Sequence, residues 1–366
     1  MSDPSQSRSP RSPAAAAAVS LGTQTAGRDN NVQLLRLLAA SAVVVFHCYA
    51  LTDRWTDEPL WRMAPELNLG ALGVKIFFAI SGFLVTQSWL QRRHIGAFAA
   101  ARVVRIYPAL VAATLLTILL GAVSSALPFR AFVAHPDTLD FAWQTASGWG
   151  APVALPGAYA HNPFPNAVNG SLWTLPIEIR LYVALGVAGI VGLLAHRIGW
   201  MAALAAGIVA GAIVPDAITI PLHAGPGNRP VLELALMFGL GSLAYAWRDA
   251  IPLSLGALIA AIALVAWNPL GLARGALFEP LLAYIVLVLG YHPLLRWTRF
   301  NRIGDYSYGV YVYSFPVQQT LVEHLHGISP ALLLVTALPI TLALGALSWH
   351  ALERPALRLK SRFRSS

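Results

Sequence analysis

Long apolar runs separated by short polar breaks dominate the chain. Ten such runs lie near 34–51, 70–90, 107–127, 171–195, 199–214, 230–247, 252–268, 275–291, 306–323 and 330–350. Most are about long enough to cross a hydrocarbon core of roughly 30 Å, once tilt and burial are allowed for. The fifth and seventh are short, with weakly marked limits. The pattern predicts an all-α polytopic membrane protein with about ten transmembrane helices. Ten is even, so both termini fall on one side. The region between 128 and 170 breaks the rhythm. It is rich in Pro, Gly, Ala and aromatics, holds no clear span, and includes Trp143, Trp149, Tyr159 and Phe164. These aromatics read either as an interfacial belt, the plainer view, or as part of a sugar-binding lid.

Composition agrees with the membrane reading. Of 366 residues, 57% are apolar and 11% charged, against about 25% charged in soluble domains. The net charge of +9 raises nucleic acid as a partner. The cations, however, sit in the breaks between spans, where they set orientation. With the N-terminus inside, the inner segments hold Arg8, Arg11, Arg28 and Arg36; Arg92, Arg93, Arg102 and Arg105; Arg197; Arg248; Arg296, Arg299 and Arg302; and Arg354, Arg358, Lys360, Arg362 and Arg364. Only Arg54, Arg62, Arg130, Arg229 and Arg274 lie outside, while Lys75 and Arg180 fall within spans. Both termini are therefore expected in the cytoplasm, in a bacterial-type inner membrane, with membrane lipids and no nucleic acid as partners. Residues 1–30, rich in Ser, Ala, Pro and Arg, read as a disordered cytoplasmic tail rather than a signal peptide. Residues 31–353 form the transmembrane domain, and 354–366 a basic tail suited to an anionic inner leaflet. The single cysteine, Cys48, excludes an internal disulfide and any cysteine-based metal site; no metal is expected.

Two residues of the first run carry its candidate chemistry. Arg36 and His47 are eleven residues apart, about three helical turns, so they share one face roughly 16 Å apart along the axis. An ionisable side chain within a membrane helix is a functional-site hypothesis by default. Alone, His47 reads as a buried histidine bonded to a neighbouring helix, and Arg36 as a snorkelling anchor. Aligned, they read as a general base deep in the membrane and a phosphate clamp near its inner face. Coenzyme A has an anionic nucleotide end and an extended arm of about that reach, so one acyl-CoA donor could lie along the helix face. Cys48 points about 100° away and reads as packing. In the following inner segment Arg102 and Arg105 lie three apart on one face, either as anchors or as further phosphate contacts. Glu178, in the fourth run with Arg180, needs a partner or a polar cavity. Pairing with His47 would fix the imidazole tautomer. In the second run, Lys75 reads as snorkelling and Ser81 as a hydrogen-bonding residue across helices. Arg229 and Glu233, four apart, form a local ion pair. The tyrosines and Ser314 of the ninth run could line a polar cavity.

These residues fall in motifs that resemble the membrane acyltransferase family 3, the O-antigen acetylase-like group. The motifs are R-x10-H (Arg36 and His47), LGxxGVxxFFxxSGF (Leu69 to Phe83), RxxRIYP (Arg102 to Pro108), SLWTLPIE (Ser171 to Glu178), an RxxxEFxxG-like stretch (Arg229 to Gly239, with Leu234 where Phe is common) and YSYGVYVYSFP (Tyr306 to Pro316). Their order and spacing cover about residues 30–355. The resemblance implies ten helices and a cytoplasmic acyl-CoA donor, usually acetyl-CoA. It implies transfer to a hydroxyl of a carbohydrate, glycolipid or related envelope acceptor on the outer side. By the family pattern His47 is the catalytic residue and Arg36 its motif partner, while Arg102 and Arg105 match the family's inner-loop arginines and Glu178 its span-four acidic residue. The resulting expectation is that His47 and Glu178 are catalytic and that Arg36, Arg102 and Arg105 hold the donor. Ser314 stands where many members have a histidine. No extracytoplasmic hydrolase-like domain follows the last span, so either transfer is direct or a separate extracytoplasmic transferase completes it. Two rivals come from other classes: a secondary transporter, against which stands the absent internal repeat, and a non-catalytic membrane sensor.

Overall fold

The computed structural model describes residues 19–359 except 26, 28, 66, 153, 223–227, 268–270 and 272–276. Among the described residues every regular element is a helix, and a lone bridge between Ser20 and Pro252 is the one β-type pairing. Ten of the described helices have thirteen residues or more: α1 (Val32–Ala50), α2 (Leu69–Arg92), α3 (Ile95–Ser124), α4 (Leu175–Ile190), α5 (Arg197–Ile213), α6 (Arg229–Ala246), α7 (Leu255–Trp267), α8 (Phe278–Tyr291), α9 (Ser307–His324) and α10 (Pro330–Ser348). Each coincides with one of the ten apolar runs. The largest difference is α3, which starts well before the run at 107. The basic segment ahead of that run is itself helical, capped by His94, whose Nδ1 accepts from the Ala97 amide at 3.2 Å. Polar residues mark other helix starts as capping requires: the Asn68 side chain accepts from the Ala71 amide at 2.7 Å.

Among the described residues, five helical segments are by length and composition apolar enough to cross a membrane: Val32–Ala50, Leu69–Arg92, Ile95–Ser124, Gly170–Ile190 and Pro330–Arg358. α5, α7 and α8 are apolar but shorter. Contacts between helix ends show that the bundle alternates in direction. Arg36 at the start of α1 meets Asp305 before α9, and Arg105 near the start of α3 meets Asp305 and Glu353 beyond α10. The Asn31 side chain donates to the Leu289 carbonyl near the end of α8 at 3.0 Å. Arg93 after α2, Arg197 at the start of α5 and Arg248 after α6 border one cavity. We call this the basic end.

α2 is central and packs against α1 and α6. Two glycines bring α2 and α6 into backbone contact: a Cβ on Gly82 would lie 1.9 Å from the Phe238 carbonyl oxygen, and one on Gly241 would lie 2.0 Å from that of Ala79. Nothing larger fits either position. α9 is buried along most of its length and contains Pro316. Proline has no amide to bond the carbonyl four residues back. That carbonyl, of Val312, instead accepts from Asn169 Nδ2 at 3.0 Å.

Part of the expected disordered tail is docked. Leu21 is fully buried, and its amide donates to the Ile251 carbonyl at 2.9 Å, while Leu253 donates to Val19 at 2.7 Å. Apolar Val19 and Leu21 supply the contact area that the polar composition around them conceals. The basic tail begins as a helix, Arg354–Leu359. Residues 1–18, Arg28, Arg274 and the basic residues from Lys360 onward lie outside the described residues. Region 128–170 folds on itself: Phe132, Phe141, Leu155 and Tyr159 form a small core beneath the helix Pro136–Ser147. Tyr159 is thus internal, whereas Trp143 and Trp149 are exposed.

Candidate active site

Two cavities lie at opposite ends of the face that α1 shares with α2. The one at the basic end, about 180 Å³, is bordered by Arg36, Ser81, Arg102, Arg105, Glu178 and Tyr308, among others. The other, about 250 Å³, is bordered by His47, Asn68, Lys75, Ser171, Trp173 and Glu233, among others. The α-helical repeat is what separates them: Arg36 and His47 sit on one stripe, three turns apart, so each faces a different cavity. Phe77 borders the first and Tyr311 the second.

At the basic end the arginines differ in their partners. Asp305 Oδ2 accepts from Arg36 at 2.8 Å and from Arg105 at 2.6 Å. Ser307 Oγ donates to its other oxygen at 2.5 Å. Burial alone would raise the Asp305 carboxyl, but Arg105 and Arg36 outweigh it and hold the group at about 2. Arg105 also reaches Glu353 at 3.4 Å. Arg102 forms no ion pair among the described residues; its guanidinium lies over the Phe98 and Tyr182 rings at 5.8 and 5.6 Å. The Arg102 Nε and the Tyr308 hydroxyl are buried without hydrogen-bond partners. Such atoms are costly when unsatisfied. They fit a ligand with acceptor oxygens. Glu178 accepts from Ser81 Oγ at 2.8 Å and from the Tyr182 hydroxyl.

At the opposite end His47 is held by packing rather than by polar bonds. Its ring meets Phe315 edge-on, centroids 4.9 Å apart, and tilts against Phe46 at 5.5 Å. Its Nδ1 is buried without a hydrogen-bond partner, and the residue borders the cavity. Lys75 is buried between two carboxylates, Glu233 and Glu279, each at 2.9 Å. Glu233 also pairs with Arg229 at 2.8 Å. Ser171 Oγ is buried and unbonded. Among the described residues no group of three or more His, Cys, Asp or Glu is placed to hold a metal.

Residues 29–350 match the acyltransferase domain family Acyl_transf_3. The chain belongs to the acyltransferase 3 family. It is 30% identical over 351 residues to the O-acetyl transferase of Shigella phage Sf6, covering 91% of this chain and 98% of that protein. It is 28% identical over 368 residues to Nodulation protein 10 of Rhizobium leguminosarum bv. viciae, covering 92% and 95%. No solved structure matches it significantly.

The family motifs thus converge on two places. Arg36, Arg102 and Arg105 come together, as their shared side of the chain predicts. Glu178 joins them and does not pair with His47: from the first turn of α4 its carboxylate meets Ser81 on α2 and Tyr182 one turn on. Lys75 does not snorkel, because α6 and α8 each present a carboxylate to it. The Arg229–Glu233 pair and the Ser81 bond across helices form as read. Cys48 is a packing residue that accepts from Gln318 Nε2 at 3.0 Å. Of the ninth run, Tyr308 and Tyr311 border the cavities, while Ser314 is buried and donates to the Tyr311 carbonyl. Sequence reasoning missed Asp305, Glu353 and Tyr182. Asp305 had a signal: an acidic residue just before a span, on the side where the arginines gather.

Proposed function

We propose that this chain is a membrane O-acyltransferase of ten crossings, with both termini in the cytoplasm. It transfers an acyl group, acetyl in the simplest case, from acyl-CoA entering at the basic end to a carbohydrate hydroxyl in the His47 cavity. The observation that carries this reading is the placement of Arg36 and His47 on one face of α1, each bordering its own cavity. Asp305 offsets Arg36 and Arg105, so Arg102 is the cation with most charge left for a phosphate. Glu178 would orient Tyr182 and Ser81 at the donor's arm. In the transfer itself, His47 Nε2 takes the proton of the acceptor hydroxyl as its oxygen attacks the thioester carbonyl. The C–S bond breaks and the sulfur leaves, gaining a proton as free CoA. In the covalent alternative the nitrogen itself accepts the acyl group, releases CoA, and passes the acyl group to the hydroxyl.

The test uses membranes containing wild type or His47→Ala, supplied with acetyl-labelled acetyl-CoA. Free CoA and label in glycan, lipid and protein are followed. A fall of about a hundredfold or more in transfer is expected. Wild-type transfer by His47→Ala would sink the reading. Label retained on the protein selects the covalent route. Reporters fused to each terminus test the orientation.

A further inference from the structure

A second cationic cavity opens at the basic end, and it shares no lining residue with the Arg102 cavity. It encloses about 310 Å³ and is bordered by Arg93, Arg197 and Arg248, with Leu90, Leu194 and Tyr245 as an apolar floor. Each arginine comes from a different helix end. Arg93 closes α2 with φ of +49°, a left-handed conformation that non-glycine residues seldom adopt. It has no carboxylate partner among the described residues. Arg197 and Arg248 share one carboxylate, Asp249, at 3.6 and 3.9 Å, so three cations face a single anion. Arg248 is fixed over the Tyr245 ring at 4.5 Å and donates to the Tyr245 carbonyl at 3.0 Å.

Next to these charges lies bare apolar surface. Val191 and Ile198, which flank the segment carrying Leu194 and Arg197, are 71% and 70% exposed. A soluble anion gains nothing from such a surface, whereas a lipid places a phosphate beside acyl chains. Basic pockets between helices on the inner side of membrane proteins suit anionic headgroups. We propose that this cavity binds the phosphate of an anionic membrane lipid, whose acyl chains run over Val191 and Ile198. The site is distinct from the one proposed for the acyl donor and does not depend on that assignment.

The test takes the full chain, purified in neutral detergent, and adds phosphatidylglycerol or phosphatidylcholine. Retained lipid is read by native mass spectrometry. Wild type should retain phosphatidylglycerol in preference. Each arginine removed in R93Q, R197Q and R248Q should weaken retention about fivefold, while R130Q, at the opposite end, should behave as wild type. If R93Q or R248Q does not fold, R197Q carries the test, because that side chain is half exposed. Equal retention by wild type and these variants would overturn the proposal. So would displacement of the lipid by millimolar inorganic phosphate, or by 3′,5′-ADP, which would assign the cavity to a soluble phosphate or to a nucleotide.

Discussion

Phe77 and Tyr311 meet edge to face, with ring centroids 5.7 Å apart, and each borders a different cavity. We take the pair as a partition between the two cavities. Tyr311 is fixed by its hydroxyl, which donates to the Ser171 carbonyl at 2.6 Å. Phe77 has only packing and the Arg36 guanidinium at 5.8 Å. It is therefore the side that yields. Phe77→Ala should join the cavities and raise CoA release without acceptor, so the ratio of label transferred to CoA released should fall several-fold. An unchanged ratio would show that the partition plays no part in transfer.

Glu178 and His47 should separate kinetically. Glu178→Gln weakens the acceptor for Ser81 and Tyr182 in the cavity proposed for the donor, so KM for acyl-CoA should rise roughly tenfold with KM for the acceptor unchanged. His47→Ala should act on kcat. Equal effects of the two substitutions on kcat alone would return Glu178 to the side of His47.

Asp305→Asn leaves Arg36 and Arg105 buried without their shared carboxylate. Removing one partner of a buried pair costs about 3–5 kcal/mol; with these side chains still 18–19% exposed, the lower figure applies. A marked fall in Tm is expected, and a Tm within a degree of wild type would contradict it.

The same carboxylate sets a pH dependence. Folded Asp305 is held at about 2, below the roughly 3.9 of an unfolded chain. Its ionised form thus stabilises the fold fully above about pH 4, and that contribution disappears as pH falls from there through 2. Thermal unfolding between pH 5 and 2.5 should show a steeper loss for wild type than for Asp305→Asn.

Lys75→Met strands buried Glu279, leaves Glu233 with Arg229 alone, and should destabilise by about 3 kcal/mol. Adding Glu233→Gln and Glu279→Gln removes the uncompensated charges and should recover much of the loss. If the triple variant unfolds no later than Lys75→Met, packing rather than charge explains the defect.

The helices were legible because each apolar run is long and bounded by polar breaks or capping residues such as Asn68. The Arg36–His47 face was legible because helical spacing within one element is fixed by geometry. Partners across elements were not. The depth at which α4 places Glu178 depends on packing against α2, which no spacing encodes. Lys75 looked like a surface cation until α6 and α8 came beside it. Asp305 escaped because orientation arguments weigh only the positive residues. Leu21 escaped because two apolar residues in a polar tail leave little mark on local composition.

The Lys75 cluster also bears on how the chain is made. Its three charges come from α2, α6 and α8, and Glu279 follows Lys75 by 204 residues. A lone lysine within a helix resists stable residence in lipid, so α2 must wait for elements synthesised much later. Ribosome-bound chains ending before Pro230 should show α2 still beside the insertion machinery, released once Glu233 has emerged. Biogenesis of this bundle is thereby tied to its second half.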